Sequence, residues 1–190
     1  MHKVIALSAS PRRGGNSEIL LDQAIAGVLE AGGIAEKIIL CDLKIAPCLE
    51  CNFCARTGRC IVEDDFQAIY RRLKQENLFL LAFPVFFQGL PAQLKALVDR
   101  CQCCWEAKYR LETPIAPASP QRRLSVLGVK AREDVEEFSH PLATLKVFAL
   151  VNNLRYYQEL LLSRMEDSGA VNRNPEALQK ARELGKDLLS

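Results

Sequence analysis

Residues 47–60 read Pro-Cys-Leu-Glu-Cys-Asn-Phe-Cys-Ala-Arg-Thr-Gly-Arg-Cys and place four thiols, Cys48, Cys51, Cys54 and Cys60, at spacing C-x2-C-x2-C-x5-C. Four thiolates on so short a run can reach several irons of one 4Fe–4S cube. Zinc also takes four thiolates, but commonly from two separated C-x2–4-C pairs. Thiols in such a group can also be free or redox-active with no metal. Spacing leaves all three open, with the iron–sulfur cluster foremost. The chain holds eight cysteines in 190 residues. In a chain of this size with no secretory features, such clustering points to metal or redox chemistry rather than to disulfides. Cys101, Cys103 and Cys104 form a C-x-C-C run that lacks a fourth ligand. With Cys41 they read as small apolar side chains buried in the core.

A second constellation is Ser8-Ala9-Ser10-Pro11-Arg12-Arg13-Gly14-Gly15-Asn16-Ser17. It joins an apolar strand to an amphipathic helix, so free N–H groups at the helix start face outward and favour an anion. Ser10, Asn16 and Ser17 add neutral donors and Arg12 a charged one, while Gly14 and Gly15 permit a tight turn around a phosphate. The same residues also suit an ordinary strand–helix loop capped by Asn16 or Ser17. No Gly-Lys-Ser/Thr follows, and the dinucleotide Gly-x-Gly-x-x-Gly is absent. A third stretch, Phe83 to Lys95, sets Phe86 and Phe87 between Pro84 and Gly89, just beyond a strand, where chain should lie at the surface.

These groups must be positioned by alternating elements. Apolar runs predict strands at Lys3 to Ser8, Ala35 to Leu40, Leu78 to Phe83 and Leu124 to Val129, and a fifth within Gln158 to Arg164. Helical spacing covers Ser17 to Ala31, Asp65 to Gln75, Pro91 to Cys101, Pro141 to Leu150 and a last helix opened by Asn174-Pro175. Glu112 to Arg123, with three prolines, reads as a loop. Alternation of this kind implies an α/β domain with a parallel sheet covered on both faces. Ligands of such sheets bind beyond the carboxyl ends of the strands, here the loops after strands one to four. One domain over residues 1–190 is expected, with the cysteine-rich loop 47–60 as its insertion. The chain is 49% hydrophobic and 25% charged, with a formal net charge of +2. That balance is globular and gives no reason to expect nucleic acid or a membrane as partner. A short apolar start followed by Ser10-Pro11-Arg12-Arg13 is not a signal peptide, so a cytoplasmic location is expected. His2 and His140 join no catalytic constellation, and no catalytic acid or base is identifiable. Trp105 fits core, interface or lid equally.

The pattern Ser-x-Ser-Pro-Arg-x-x-Gly-Asn-Ser, the run Phe83-Pro84-Val85-Phe86-Phe87-Gln88-Gly89-Leu90-Pro91-Ala92-Gln93-Leu94-Lys95, the pair Asp99-Arg100 and the C-terminal Asn174 to Lys186 together resemble the NADPH-dependent FMN reductase family. The cysteine loop and the following Asp64-Asp65 resemble its iron–sulfur flavoprotein branch. The resemblance implies a flavodoxin-like three-layer αβα sandwich with a five-stranded parallel sheet, and an FMN-dependent oxidoreductase. It implies an FMN phosphate held by Ser8, Ser10, Arg12, Asn16 and Ser17, and a flavin ring beside Pro84, Val85, Phe86, Phe87 and Gln88. It implies a 4Fe–4S cluster on Cys48, Cys51, Cys54 and Cys60. Electrons would pass between NAD(P)H or a ferredoxin-like donor, the cluster, FMN and a small-molecule acceptor, in a homodimer or homotetramer for which loop 112–123 could serve as contact. The alternatives are a cluster-free NAD(P)H-dependent FMN, quinone or azo reductase, and a non-enzymatic electron carrier or redox sensor. One departure stands out. Relatives often carry Gly-rich backbone after the fourth strand, whereas this chain has Gly128-Val129-Lys130-Ala131-Arg132-Glu133-Asp134. Lys130 and Arg132 are expected to be solvated.

Overall fold

The apolar run Lys3–Ser8 forms strand β1, and its side chains alternate between two buried layers as a strand's must. The computed structural model describes residues 2–132 and 138–190. Helix α1 (Asn16–Glu30) leads to β2 (Ile34–Ile39). A short turn of helix, α2 (Cys54–Thr57), sits inside the cysteine loop, and α3 (Phe66–Gln75) leads to β3 (Leu78–Pro84). Then come α4 (Ala92–Arg100), α5 (Gln102–Trp105), β4 (Arg123–Val129), α6 (Ser139–Val151), β5 (Arg155–Leu162) and α7 (Pro175–Asp187).

The five strands are parallel in the order β2-β1-β3-β4-β5. This is the flavodoxin-like arrangement expected. On one face Ile5, Leu7, Phe79, Leu81 and Val126 pack under α3, α4 and α6 through Phe66, Ile69, Leu94, Leu97 and Phe148. On the other, Val4, Ala6, Leu80, Ala82 and Leu127 pack under α1 and α7 through Leu20, Ala24, Ala177 and Ala181. Burial on both faces is why β1, β3 and β4 read as continuous apolar runs, while the edge strands β2 and β5 are only half buried. The chain leaves β1 towards β2 and later returns to β3 on its other side. The loops after β1 and β3 therefore diverge around a crevice at the carboxyl edge of the sheet.

Helices α1 and α7 meet backbone to backbone. A Cβ on Gly27 would lie 1.9 Å from the Arg182 carbonyl oxygen, and one on Gly185 1.9 Å from that of Ala24. Most elements lie within one or two residues of the expected bounds, and two depart further. Strand β5 starts at Arg155 rather than Gln158, because the ladder with β4 slips between Leu124 and Ser125, so that the partner advances from Tyr156 to Gln158. That bulge breaks the two-residue alternation a sequence reading relies on. The Pro91 helix was expected to end at Cys101. Helical chain instead resumes as α5 and runs into a π-helical stretch, Glu106–Arg110. Cys101, Cys103 and Cys104 are buried as expected, whereas Cys41 is only half buried. Trp105 is partly exposed, its ring 5.5 Å from that of Tyr109.

Candidate functional site: two cavities at the carboxyl edge

The first cavity, of about 280 Å³, gathers residues from four loops: Ser10, Pro11, Arg12, Gly15, Asn16 and Ser17 after β1, Pro84, Val85 and Phe86 after β3, Val129, Lys130 and Ala131 after β4, and Met165 and Glu166 after β5. The β1 loop is folded by its own bonds. Ser10 Oγ donates to the Arg12 carbonyl (3.0 Å) and accepts from the Arg12 N–H (3.1 Å). Gly14 takes a left-handed φ of 63°, and its N–H donates to the Glu18 carboxylate at 2.7 Å. Burial would raise the Glu18 pKa, but Lys37, that N–H and Arg13 overcome it and hold the pKa below the usual carboxylate value. Helix α1 starts after Gly15 with no side chain capping its first turn, so backbone donors at its start remain for a ligand. Arg13 is paired with Asp42 and lies 3.9 Å from Glu18. Arg12 is exposed and its guanidinium has no partner among the described residues.

Asn16 lines the cavity, but its side chain is committed elsewhere. Its Nδ2 donates to the carbonyls of Met165 (3.1 Å) and Asp167 (2.8 Å), and its Oδ1 accepts from the Val171 N–H (3.2 Å). These bonds pin the loop after β5 against the β1 loop and bring Met165 and Glu166 to the wall. Sequence reasoning missed those two residues. The signal was available, since β5 ends at the same edge of the sheet as the strands whose loops were considered.

After β3, the Val85 N–H donates to the Val129 carbonyl (2.8 Å), and Phe86 and Gly89 exchange backbone bonds of 3.1 and 2.8 Å. They close a two-residue turn with Phe87 at φ 48° and Gln88 at φ 60°, a conformation L side chains adopt at a cost. Phe86 is half exposed at the wall, whereas Phe87 is fully exposed at the turn tip. Phe87, Gln88 and the buried Ser8 do not line the cavity. Lys130 corrects the expectation of solvation. It is 4% exposed, with its ammonium 5.2 Å from the Phe138 ring centre. Its backbone is held on both sides by β5 and the loop beyond, through Leu162 and Met165. Arg132 is exposed as expected, and Glu133 and Asp134 lie outside the described residues.

The second cavity, of about 410 Å³, is lined by Cys48, Cys51, Cys54 and Cys60, with Asp99, Arg100, Gln102 and Cys103 from the α4–α5 side. Cys48 and Cys51 are exposed and Cys54 and Cys60 half buried. Cys103, expected only as core, is a fifth thiol at this wall. Asp64 staples the loop shut. Its carboxylate accepts from the N–H groups of Ala46 (2.9 Å) and Phe66 (3.0 Å) and from Arg100 Nη1 (2.7 Å). Burial works to raise the Asp64 pKa, but Arg100 and these N–H groups hold it below the ordinary value. Burial also raises the Cys54 thiol, with Cys103 nearby adding to it. Among the described residues no three Cys, His, Asp or Glu side chains are gathered closely enough to hold a metal as they stand. The four loop thiols nevertheless line one cavity, and so does a buried arginine whose Nε has no partner. Soft sulfur donors and a cation lining the same space fit a thiolate-bound cluster in kind.

A family model described as NADPH-dependent FMN reductase matches residues 2–125. An iron-sulfur flavoprotein of Methanocaldococcus jannaschii is 41% identical over 98 residues, covering 52% of this chain and 51% of the relative. The chain spans about half the length of the curated relatives it matches. Among solved structures, an NAD(P)H:quinone oxidoreductase from Methanothermobacter marburgensis superposes with TM-score 0.74 at 19% identity, covering 98% of each chain. An FMN-dependent NADH-azoreductase from Bacillus anthracis, solved in complex with FMN, does so with TM-score 0.69 at 16% identity over the whole of both chains. These two show the fold. No helix among the described residues is long and apolar enough to cross a membrane.

Proposed function

Because the chain belongs to the NADPH-dependent FMN reductase family, a family of oxidoreductases, we propose that its first cavity binds FMN and its second an iron–sulfur cluster. In this reading the protein passes electrons between NAD(P)H or a ferredoxin-like donor, the two groups and a small-molecule acceptor. The observation that carries it is the single cavity shared by Ser10, Arg12, Gly15 and Ser17 with Pro84, Val85 and Phe86. The donor-rich side suits a phosphate and the apolar side a flat aromatic ring. The cavity, of about 280 Å³, would hold the phosphate at its donor-rich side and the ring at its apolar side.

Bound FMN would exchange electrons one or two at a time, which is the chemistry this chain does not itself supply. The residues bind and orient. Arg12 and the first turn of α1 would hold the phosphate. Val85 and Phe86 would line the ring, beside the β5 loop held by Asn16. Cys48, Cys51, Cys54 and Cys60 are the ligands this reading assigns to the cluster, and the name of the Methanocaldococcus relative supports it.

The test is purification without oxygen, followed by flavin and iron analysis and addition of NADPH. The expected result is retained FMN and about four irons per chain, with the flavin band bleached by NADPH or by reduced ferredoxin. A protein that neither retains nor takes up FMN would refute the reading. A cluster-free reductase is the second reading, favoured by the absence of gathered metal ligands among the described residues. Flavin bands without broad brown absorption would select it.

A further inference from the structure

Two arginines are fully buried, Arg100 and Arg122, and they differ in one respect. Every nitrogen of the Arg122 fork finds an oxygen: Nε the Asn153 carbonyl, Nη1 those of Glu76 and the Asn77 side chain, Nη2 those of Leu73 and Asn152. Arg100 uses both Nη groups. Nη1 donates to the Ala46 carbonyl (3.0 Å) and Asp64 (2.7 Å), and Nη2 to the Val62 carbonyl (3.1 Å) and Asp64 (3.2 Å). Its Nε, in a side chain only 1% exposed, has no oxygen or nitrogen partner among the described residues.

A buried N–H left unmatched costs stability, and Arg cannot shed its charge to escape it. The unmatched donor belongs to a side chain that lines the cysteine cavity. Cys60 lines the same cavity as this guanidinium. One carboxylate, Asp64, is bonded to this cation, so further negative charge in the cavity is what the spare donor suits. Thiolates bound to iron are such acceptors, and hydrogen bonds to cluster sulfurs together with local charge set cluster potentials.

We propose that Arg100 is a positioning residue for the cluster, its spare Nε–H and its charge facing the thiolate set that shares its cavity, so that the reduced, more negative state is favoured. The proposal rests on the cluster reading above and adds to it the residue that tunes the potential. Asp99, which precedes it on α4 and also lines the cavity, has its charge paired with Lys95 (2.9 Å).

The test is the midpoint potential of the iron centre in the anaerobically reconstituted full chain, read by low-temperature EPR, for the wild type and for Arg100→Gln, Arg100→Lys and Asp64→Asn. Arg100→Gln is expected to lower the potential by at least a tenfold shift in the reduced-to-oxidised ratio, about 59 mV for a one-electron couple. Arg100→Lys keeps the charge and should stay within that tenfold of the wild type. Asp64→Asn breaks the same ion pair but removes a negative charge, so it should leave the potential unchanged or raise it. A merely structural role would instead move Arg100→Gln and Asp64→Asn the same way, and that result overturns the proposal, as does an unshifted Arg100→Gln. Should Arg100→Gln hold no iron, Arg100→Lys decides, since a potential lowered tenfold or more there rejects charge as the cause. A wild-type chain that takes up no iron refutes the cluster reading itself and carries this inference down with it, a result distinct from iron bound at an unmoved potential.

Discussion

At the scale of the residue, the β1 loop separates side chains that hold the protein from side chains left for a ligand. Arg12 is exposed with its guanidinium unpartnered among the described residues, so its removal takes nothing from the fold. Arg12→Ala should leave the melting temperature unchanged and weaken FMN binding by the worth of a hydrogen bond to a charged group, about 1.5–3 kcal/mol, or roughly 10- to 150-fold in Kd. Quenching of flavin fluorescence on titration measures this, and an unchanged Kd would reject Arg12 as a phosphate contact. Asn16 should behave in the opposite way. Its three bonds to residues 165, 167 and 171 hold the β5 loop, and Asn16→Ala leaves a buried N–H and carbonyls unmatched. Apoprotein stability should fall by about 1–3 kcal/mol, seen in thermal unfolding without FMN. Sequence could name Asn16 as a donor. It could not show that the donor is already spent, because its partners lie about 150 positions away in the chain.

At the scale of the element, the strands were legible where both faces are buried and less so at the edge. Expected and observed bounds coincide for β1 and differ by one residue for β3 and β4. The start of β5 was obscured by its bulge, and the helical chain beyond Cys101 by apolar spacing that changes as α5 gives way to a π-helical stretch. The phosphate loop and the cysteine loop were legible because their chemistry is local. The β5 contribution to the first cavity and the place of Cys103 in the second were not, because sheet order and helix packing create them. The same holds for the glycines of α1 and α7. Gly27 and Gly185 sit inside helices, where sequence reads only a weak propensity cost, yet each approaches the opposing backbone too closely for a methyl group. Gly27→Ala or Gly185→Ala should force the helices apart and cost about 1–3 kcal/mol. For a chain of this size that is roughly 2–12 °C in melting temperature, measurable by circular dichroism. A neutral result would mean that the two helices slide apart freely.

At the scale of the whole molecule, acid stability is where the paired carboxylates act together. Asp64, Glu36 and Glu18 all lie below the ordinary carboxylate pKa. For Glu36 the cause is Arg72 and then Lys3. For Asp64 and Glu18, burial pushes upward and is outweighed by Arg100 and by Lys37 respectively. A carboxylate whose pKa is lower folded than unfolded adds stability that is fully present above the unfolded value, about 4, and is lost as pH falls through the folded value. Unfolding free energy from urea titration should therefore be level through these groups' range near neutrality and decline below about pH 4. Asp64 weighs most in this because it ties residues 46, 64 and 66 to the buried Arg100. Asp64→Asn leaves that cation without its counter-charge, a loss of about 3–5 kcal/mol at neutral pH. In acid the wild-type carboxyl is itself protonated and resembles the variant, so the gap between the two proteins should narrow as pH falls. A gap that stays constant from pH 7 to pH 3 would show that Asp64 stabilises the chain by its shape and hydrogen bonds and not by its charge. It would also remove the electrostatic reason for placing Arg100, rather than any well-packed side chain, beneath the cysteine loop.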